Sequence, residues 1–248
     1  MNPKVLVGCP TFDGKAYCLE EYAKAVKNLD YDNYEIVLVD NSEKEEYREK
    51  LKKMGFNVWR LDEKGFSARE RITACRNLLR KLAIDSYDYF LSLEQDVIPP
   101  KDIMKKLLSH NQKIVSAVYT MKMDDGKEMP LLWGFLDENE KKKFLEENPQ
   151  LKSKIEEMGK KGLLCKRIES VEELPKNKLI KVAACGLGAV LIHKDVLKKI
   201  VFRTDERKSA YDDMFFSQDA LSKGFEITAD TGVICRHIQG EESLKNNS

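Results

Sequence analysis

The 248 residues suffice for a substantial core and suit one α/β domain carrying an insertion. With 43 Lys and Arg against 42 Asp and Glu the net charge is +1, which excludes the electrostatic footprint of a nucleic-acid binder. Six scattered cysteines without a C-x-x-C pair exclude a zinc ribbon or small disulfide scaffold, and no apolar run is long enough to span a bilayer.

Those cysteines fit a reducing compartment, and the chain enters a strand with no apolar leader. A soluble cytoplasmic protein is expected, one that meets a membrane only peripherally. Lys4–Gly8 reads as a first strand, followed by Cys9–Gly14, a loop of turn formers carrying Thr11 and Asp13. Leu19, Tyr22, Ala23, Val26 and Leu29 recur at helical spacing and predict a helix over Ala16–Leu29. Tyr34–Val39 is a second strand that ends in Asp40-Asn41-Ser42. These three residues either turn the chain and cap a helix over Glu43–Met54, or place Asp40 at the same rim as Thr11. A third strand is expected over Phe56–Leu61. A helix over Phe66–Ile84 follows, with Ile72, Cys75, Leu79 and Leu82 on one stripe and Arg71 and Arg76 off it. Such arginines are either solvated charge or, beside an acidic metal site, partners for a diphosphate.

Tyr89–Leu93 is too short for an independent helix and reads as a central strand, stopped by Pro99 and Pro100. Ligands of open α/β sheets collect outside the carboxyl ends of strands, where Glu94-Gln95-Asp96 falls. In extended chain alternate side chains point the same way, so Glu94 and Asp96 can face one divalent cation and a phosphate; the plainer reading is a polar loop. A helix over Lys101–Ser109 and a strand over Lys113–Tyr119 follow. Strands alternating with helices imply a mainly parallel central sheet with helices on both faces.

Periodicity lapses over 120–178, which reads as a charged helical insertion or lid containing the stretch Asp137–Met158 and one notable aromatic, Trp133. Strands return at Leu179–Ala184 and Ala189–His193. Between them lies Cys185-Gly186-Leu187-Gly188, whose glycines allow close backbone approach but make no dinucleotide fingerprint. Helices are expected over Asp195–Ile200 and Asp212–Lys223, the second opening on two acids that can serve the helix dipole. Phe225–Ala229 and Gly232–His237 complete the strands, and Glu241–Ser248 reads as a polar tail.

Pro10-Thr11, Asp40, Arg76-Asn77 and Glu94-Gln95-Asp96, in that order, resemble GT-A fold glycosyltransferases of the family 2 type. The likeness continues through Gly188–Ile192 with Lys194-Asp195-Val196, the acidic stretch Asp212-Asp213-Met214-Phe215-Phe216, the pair Gly224-Phe225 and the terminal segment Asp230–His237. It implies a Rossmann-like GT-A fold, with 1–119 as a nucleotide-binding half, 120–178 as the insertion or lid and 179–248 as an acceptor and catalytic half.

The implied reaction is sugar transfer, with inversion, from a nucleotide diphosphate donor to a hydroxyl of a glycan, lipid carrier or protein. On that likeness Thr11 and Asp13 line the nucleotide pocket, Asp40 binds base or ribose, and Arg71 or Arg76 approaches the diphosphate. Asp96, with Glu94 and His237, would hold manganese or magnesium; Asp213, beside Asp212, would be the general base. Two departures bear on these roles. Glu94 is one methylene longer than the aspartate usual there, which also suits a ribose or water-mediated contact, and Asp219, one turn on, competes with Asp213. A sugar-phosphate nucleotidyltransferase would need a glycine-rich first loop with Arg and Lys, whereas Gly8–Gly14 is followed only by Lys15. A noncatalytic nucleotide-sugar binder is the remaining alternative.

Overall fold

The computed structural model describes residues 2–62, 65–123, 125–147, 149, 164–205, 207 and 210–240. The chain runs β1 (Val5–Thr11), a 3-10 turn (Asp13–Cys18), α1 (Leu19–Val26), β2 (Tyr34–Asp40), α2 (Glu45–Lys53), β3 (Asn57–Arg60), α3 (Ala68–Ser86), β4 (Tyr89–Leu93) and β5 (Val97–Ile98). It continues through α4 (Ile103–Ser109), β6 (Ile114–Val118), β7 (Thr120–Lys122), β8 (Glu128–Pro130), β9 (Leu132–Phe135), α5 (Glu138–Glu147) and β10 (Cys165–Arg167). It closes with β11 (Leu179–Val182), β12 (Ala184–Cys185), β13 (Ala189–His193), α6 (Lys194–Lys199), α7 (Asp212–Ser222), β14 (Ile227–Ile234) and β15 (Arg236–His237).

Eight strands form the central sheet in the order β11-β14-β6-β13-β4-β1-β2-β3. β3, β2, β1 and β4 are mutually parallel, as are β6 and β14, while β13 runs antiparallel between β4 and β6, and β11 antiparallel on the edge. Strands covered on both faces need apolar side chains on both, which is why Val5–Thr11 and Tyr89–Leu93 are buried throughout instead of alternating. One face is packed by α1, α2 and α4 through residues such as Leu19, Tyr22, Leu51 and Leu107. The other is packed by α3, α6 and α7 through Leu79, Leu197, Phe216 and Ala220. Among the described residues no helix is long and apolar enough to cross a membrane. All six cysteines are free.

Several elements depart from the sequence expectations for identifiable reasons. β1 runs on through Pro10 and Thr11, because its pairing with β4 stops at Gly8 and the missing N–H of Pro10 falls beyond that ladder. The first helix opens as a 3-10 turn. Helix α2 has Lys44 at its N-cap, since the Ser42 hydroxyl is engaged by Asp40 and by the Asp13 N–H. Helix α3 starts at a capping box in which Ser67 accepts from the Glu70 N–H and Glu70 from the Ser67 N–H. The two expected final strands are one, β14, whose register shifts between Asp230 and Ile234, with a separate β15 pairing to β5. Within 120–178, expected as a charged helical insertion, the hairpin β7–β8 and the strands β9 and β10 also form, the latter two joining β12 in a three-stranded sheet. The stretch after α5, including residues 148 and 150–163, and the tail 241–248 lie outside the described residues.

The parallel strands β1, β2 and β4 all end at one rim, at Thr11, Asp40 and Leu93. Antiparallel β13 begins there, so the Glu94 N–H donates to the Gly188 carbonyl at 2.9 Å. The close approach of the glycine-rich turn is to Tyr119, whose hydroxyl accepts the Gly188 N–H at 2.9 Å. Side chains Cβ-built at Gly186 or Gly188 would stand 2.1 and 2.7 Å from that hydroxyl. At Gly8, beneath α3, an added methyl would meet the Phe90 ring at 2.4 Å and Leu79 at 3.0 Å. Gly8→Ala is therefore expected to lower stability by about 1–3 kcal/mol, the range for overpacking a dense core, read from urea unfolding at an unchanged m value. An unchanged midpoint would mean that β1, β4 and α3 separate there without cost.

Candidate active site

The rim is organised by three consecutive side chains after β4 that turn three ways. Gln95 points inward: its Oε1 accepts from the Thr11 hydroxyl and from the Tyr47 hydroxyl at 2.9 Å, and its Nε2 donates to the Lys15 carbonyl at 2.5 Å. One amide thus ties the end of β1, helix α2 and the 3-10 turn to the end of β4. Thr11 is consumed by this contact and lies behind the rim.

Asp96 turns the other way and is almost fully buried. Its Oδ2 receives the Lys15 ammonium and lies 3.3 Å from His237 Nε2. Its Oδ1 is buried without a partner among the described residues. Burial favours the neutral acid, but the His237 hydrogen bond and the Lys15 charge outweigh it, and the pKa of Asp96 is lowered. His237 arrives because β15 pairs antiparallel with β5, setting it opposite Val97, next to Asp96. Its Nδ1 lies 2.8 Å from the Thr120 carbonyl, which can only accept, so Nδ1 carries the proton and Nε2 is turned on Asp96. The Tyr119 ring meets it edge-on at 5.7 Å.

Glu94 faces Arg76, a wholly buried guanidinium whose Nη1 donates to Asp212 Oδ2 at 2.5 Å and whose Nη2 donates to Glu94. The fork joins the end of β4 to the start of α7, and it answers the charge of Asp212 within the first turn of that helix. Arg76 is therefore committed to two carboxylates instead of facing a diphosphate. Asp213, which follows Asp212 on α7, has no such ion pair among the described residues. Asp213 Oδ1 accepts the Met214 N–H at 2.7 Å, and burial first, then the charge of Asp212, pushes its pKa up to about 6. Asp219, the competing acid, is gripped through both oxygens by Arg203 at 2.7 and 2.9 Å.

At the end of β2, Asp40 is buried, with Oδ1 taking the Ser42 N–H and hydroxyl and Oδ2 left without a partner among the described residues. Burial raises its pKa. A cavity of about 220 Å³ opens beside it, lined by Pro10, Phe12, Lys15, Arg71, Glu94 and Tyr211 among others. Arg71 is half-buried, donates to the Phe66 carbonyl at 2.9 Å, and with Asn41 borders a second opening next to Arg60. Asp13 is exposed, its carboxylate accepting the Gly14 N–H. On the far side Trp133 in β9 pairs with Arg167 in β10, the guanidinium 5.4 Å from its ring.

The fold thus gathers Glu94, Asp96 and His237 at one end of β4, sets Asp40 and Arg71 beside the cavity, and holds Asp212 and Asp213 across Arg76. Sequence reasoning placed Gln95 at the rim within the Glu94-Gln95-Asp96 triplet without a role of its own, and missed Lys15, Tyr47 and Tyr119. Only Lys15 gave a signal, as the cation that follows the first loop. Among the described residues no three His, Cys, Asp or Glu side chains assemble a metal site. The free Oδ1 of Asp96 and the Nε2 of His237 still fit a divalent cation that takes its remaining ligands from phosphate and water, since carboxylate and imidazole suit manganese or magnesium.

The sequence profile of glycosyl transferase family 2 matches residues 7–169. No curated protein matches the chain. Among solved structures, GalNAc-T7 with UDP, GalNAc and Mn2+ superposes with a TM-score of 0.64 at 14% identity, over 96% of this chain and 44% of that one. The mannosyltransferase PcManGT from Pyrobaculum calidifontis, in complex with GDP-Man and Mn2+, gives 0.62 at 13% identity, over 99% and 60%. At such identities the likeness is one of fold, and this chain spans roughly half the length of those two proteins.

Holding Asp213 as an anion costs stability. Its pKa rises from 3.8 to about 6, so the folded state binds the proton more tightly than the unfolded chain. The penalty is absent below about pH 4, grows through that window and is complete above about 6. Asp213→Asn is expected to stabilise the protein at pH 7.5 by about 1–3 kcal/mol, a gain that shrinks as the pH is lowered towards 4. Urea unfolding at the two pH values reads this directly, and a gain independent of pH would contradict it.

Proposed function

The chain belongs to glycosyl transferase family 2, and from that membership we propose that it moves a sugar from a nucleoside diphosphate to an acceptor hydroxyl with inversion at the anomeric carbon. The observation that supports this most is the pairing, at one rim, of a buried carboxylate oxygen on Asp96 that has no partner among the described residues with a carboxylate of raised pKa, on Asp213. A divalent metal, held by Asp96 Oδ1 and His237 Nε2, would supply positive charge to the departing diphosphate. The Mn2+ and nucleotides in the GalNAc-T7 and PcManGT structures support a divalent metal and a nucleotide-sugar donor.

The remaining roles fall to this chain's own side chains. Asp40 Oδ2 accepts an N–H of the base, Glu94 meets the ribose from its place in the cavity wall, and Arg71 faces the diphosphate. Asp213 takes the proton of the acceptor hydroxyl as that oxygen bonds to the anomeric carbon. The bond from that carbon to the diphosphate oxygen breaks, and its electron pair leaves with the nucleoside diphosphate. Residues 1–119 hold the donor, 179–248 carry the base, and the described residues of 120–178 border the site, with Trp133 and Arg167 on the acceptor side. The acceptor is a hydroxyl of a glycan, lipid carrier or protein.

A base must be ionised to act, so kcat is expected to fall as the pH drops below about 6, the pKa of Asp213. Asp213→Asn should lower kcat by roughly 10²–10⁴-fold, the usual worth of a general base, and abolish that acid limb while leaving the affinity for nucleoside diphosphate near wild type. Asp219→Asn should be much milder, because that carboxylate is already held by Arg203. Turnover of a nucleotide-sugar panel with Mn2+ measures all three. The reverse ranking would move the base to Asp219, and full transfer by both variants would remove both carboxylates from the chemistry.

A further inference from the structure

We propose that Lys15 is a resident cation that keeps the metal's place on Asp96 until a nucleoside diphosphate arrives, so that metal and nucleotide bind as a pair. The inference rests on the metal-assisted reading above. It begins from a count of charges. Glu94 is paired with Arg76, so among the described residues Asp96 is the carboxylate in direct contact with both Lys15 and His237. The Lys15 ammonium already neutralises it. A free divalent ion approaching Asp96 would therefore be repelled by an ammonium in direct contact with the same carboxylate.

Geometry says what has to move. The Lys15 carbonyl is fixed by Gln95 Nε2 at 2.5 Å and by the Cys18 thiol at 3.2 Å, so the backbone of the 3-10 turn is pinned and only the side chain is free to swing. That side chain also lines the cavity beside Arg71 and Glu94. The ammonium thus stands between two destinations, the buried Asp96 behind it and the cavity in front. A diphosphate in the cavity supplies the negative charge that draws Lys15 off Asp96 Oδ2, beside the already open Oδ1, and would offer phosphate oxygens to the metal. Lys15 then neutralises a phosphate instead of a carboxylate. Such coupling is reciprocal: whatever the diphosphate does for metal affinity, the metal does for diphosphate affinity.

A purely structural salt bridge predicts a different pattern, because losing it would weaken every ligand alike. The test is calorimetric titration of wild type, Lys15→Met, Lys15→Gln and Lys15→Arg, with Mn2+ alone and with UDP or GDP in EDTA. Two uncharged variants are included so that poor folding of one leaves the other, each checked by its melting curve. For both, Mn2+ alone should bind at least about 10-fold tighter than to wild type, within the usual range of site-to-site coupling, while nucleotide without metal binds at least about 10-fold weaker. Lys15→Arg should stay near wild type, and adding Asp96→Asn to Lys15→Met should abolish the gained Mn2+ affinity. Uncharged variants that bind free Mn2+ no tighter than wild type overturn the proposal. If wild type binds Mn2+ with saturating UDP or GDP while that happens, only the role of Lys15 falls. If wild type binds no Mn2+ even with nucleotide, the metal reading falls with it.

Discussion

The site depends on one guanidinium. Arg76 is wholly buried, and a lone charge there would be too costly to keep; it persists because its fork meets Asp212 on one side and Glu94 on the other. The consecutive elements α3 and β4 are thereby fixed to the start of α7, which the chain supplies more than a hundred residues later. The same pairing sorts the two acids that open α7. Asp212 has its charge answered, whereas Asp213, one residue on, feels both the burial and its neighbour's charge and holds its proton more tightly than an ordinary carboxylate. An interaction that reads as structural thus sets the basicity on which the proposed chemistry relies.

A second constraint is the divergence of Glu94, Gln95 and Asp96. Had both acids faced one cation, as extended alternation suggests, the site would carry two carboxylates for one metal. The chain turns instead, with the Val97 N–H donating to the Glu94 carbonyl, and each residue acquires a different neighbour. Glu94 goes to Arg76, Gln95 to Thr11, Tyr47 and Lys15, and Asp96 to Lys15 and His237. The middle residue, with no charge of its own, makes the contacts that keep the two acids apart.

Much of the fold was legible because parallel strands buried on both faces and amphipathic helices leave strong periodic signals. Tyr89–Leu93 and Ala189–His193 fall where the apolar runs place them, and the rim residues Asp40 and Asp96 follow from strand ends. The helix expected from Phe66 starts at Ala68 in the structure, where the capping box of Ser67 and Glu70 fixes it. What escaped was long-range. Nothing local to Arg76 tells that Asp212 will neutralise it, and nothing local to Lys15 tells that it will lie on Asp96. The glycines at 186 and 188 announced a close approach without naming Tyr119, and the small strands within 120–178 are too short and too charged to show a period of two. His237 was marked only by family likeness; its place is set by the pairing of β15 with β5, two segments far apart in the chain.

The measurement that bears most directly on this account is the pH dependence of kcat in Arg76→Lys. Lysine keeps the positive charge but lacks the fork, so it cannot meet Glu94 and Asp212 at once. The account predicts a folded protein with near-normal affinity for nucleoside diphosphate. Its kcat should be lower by about 10-fold or more through lost alignment, and the acid limb should move above about 6 because Asp212 is no longer fully answered. An unchanged kcat with its limb in place would show that Arg76 merely fills the core and that donor acids and acceptor base are set independently.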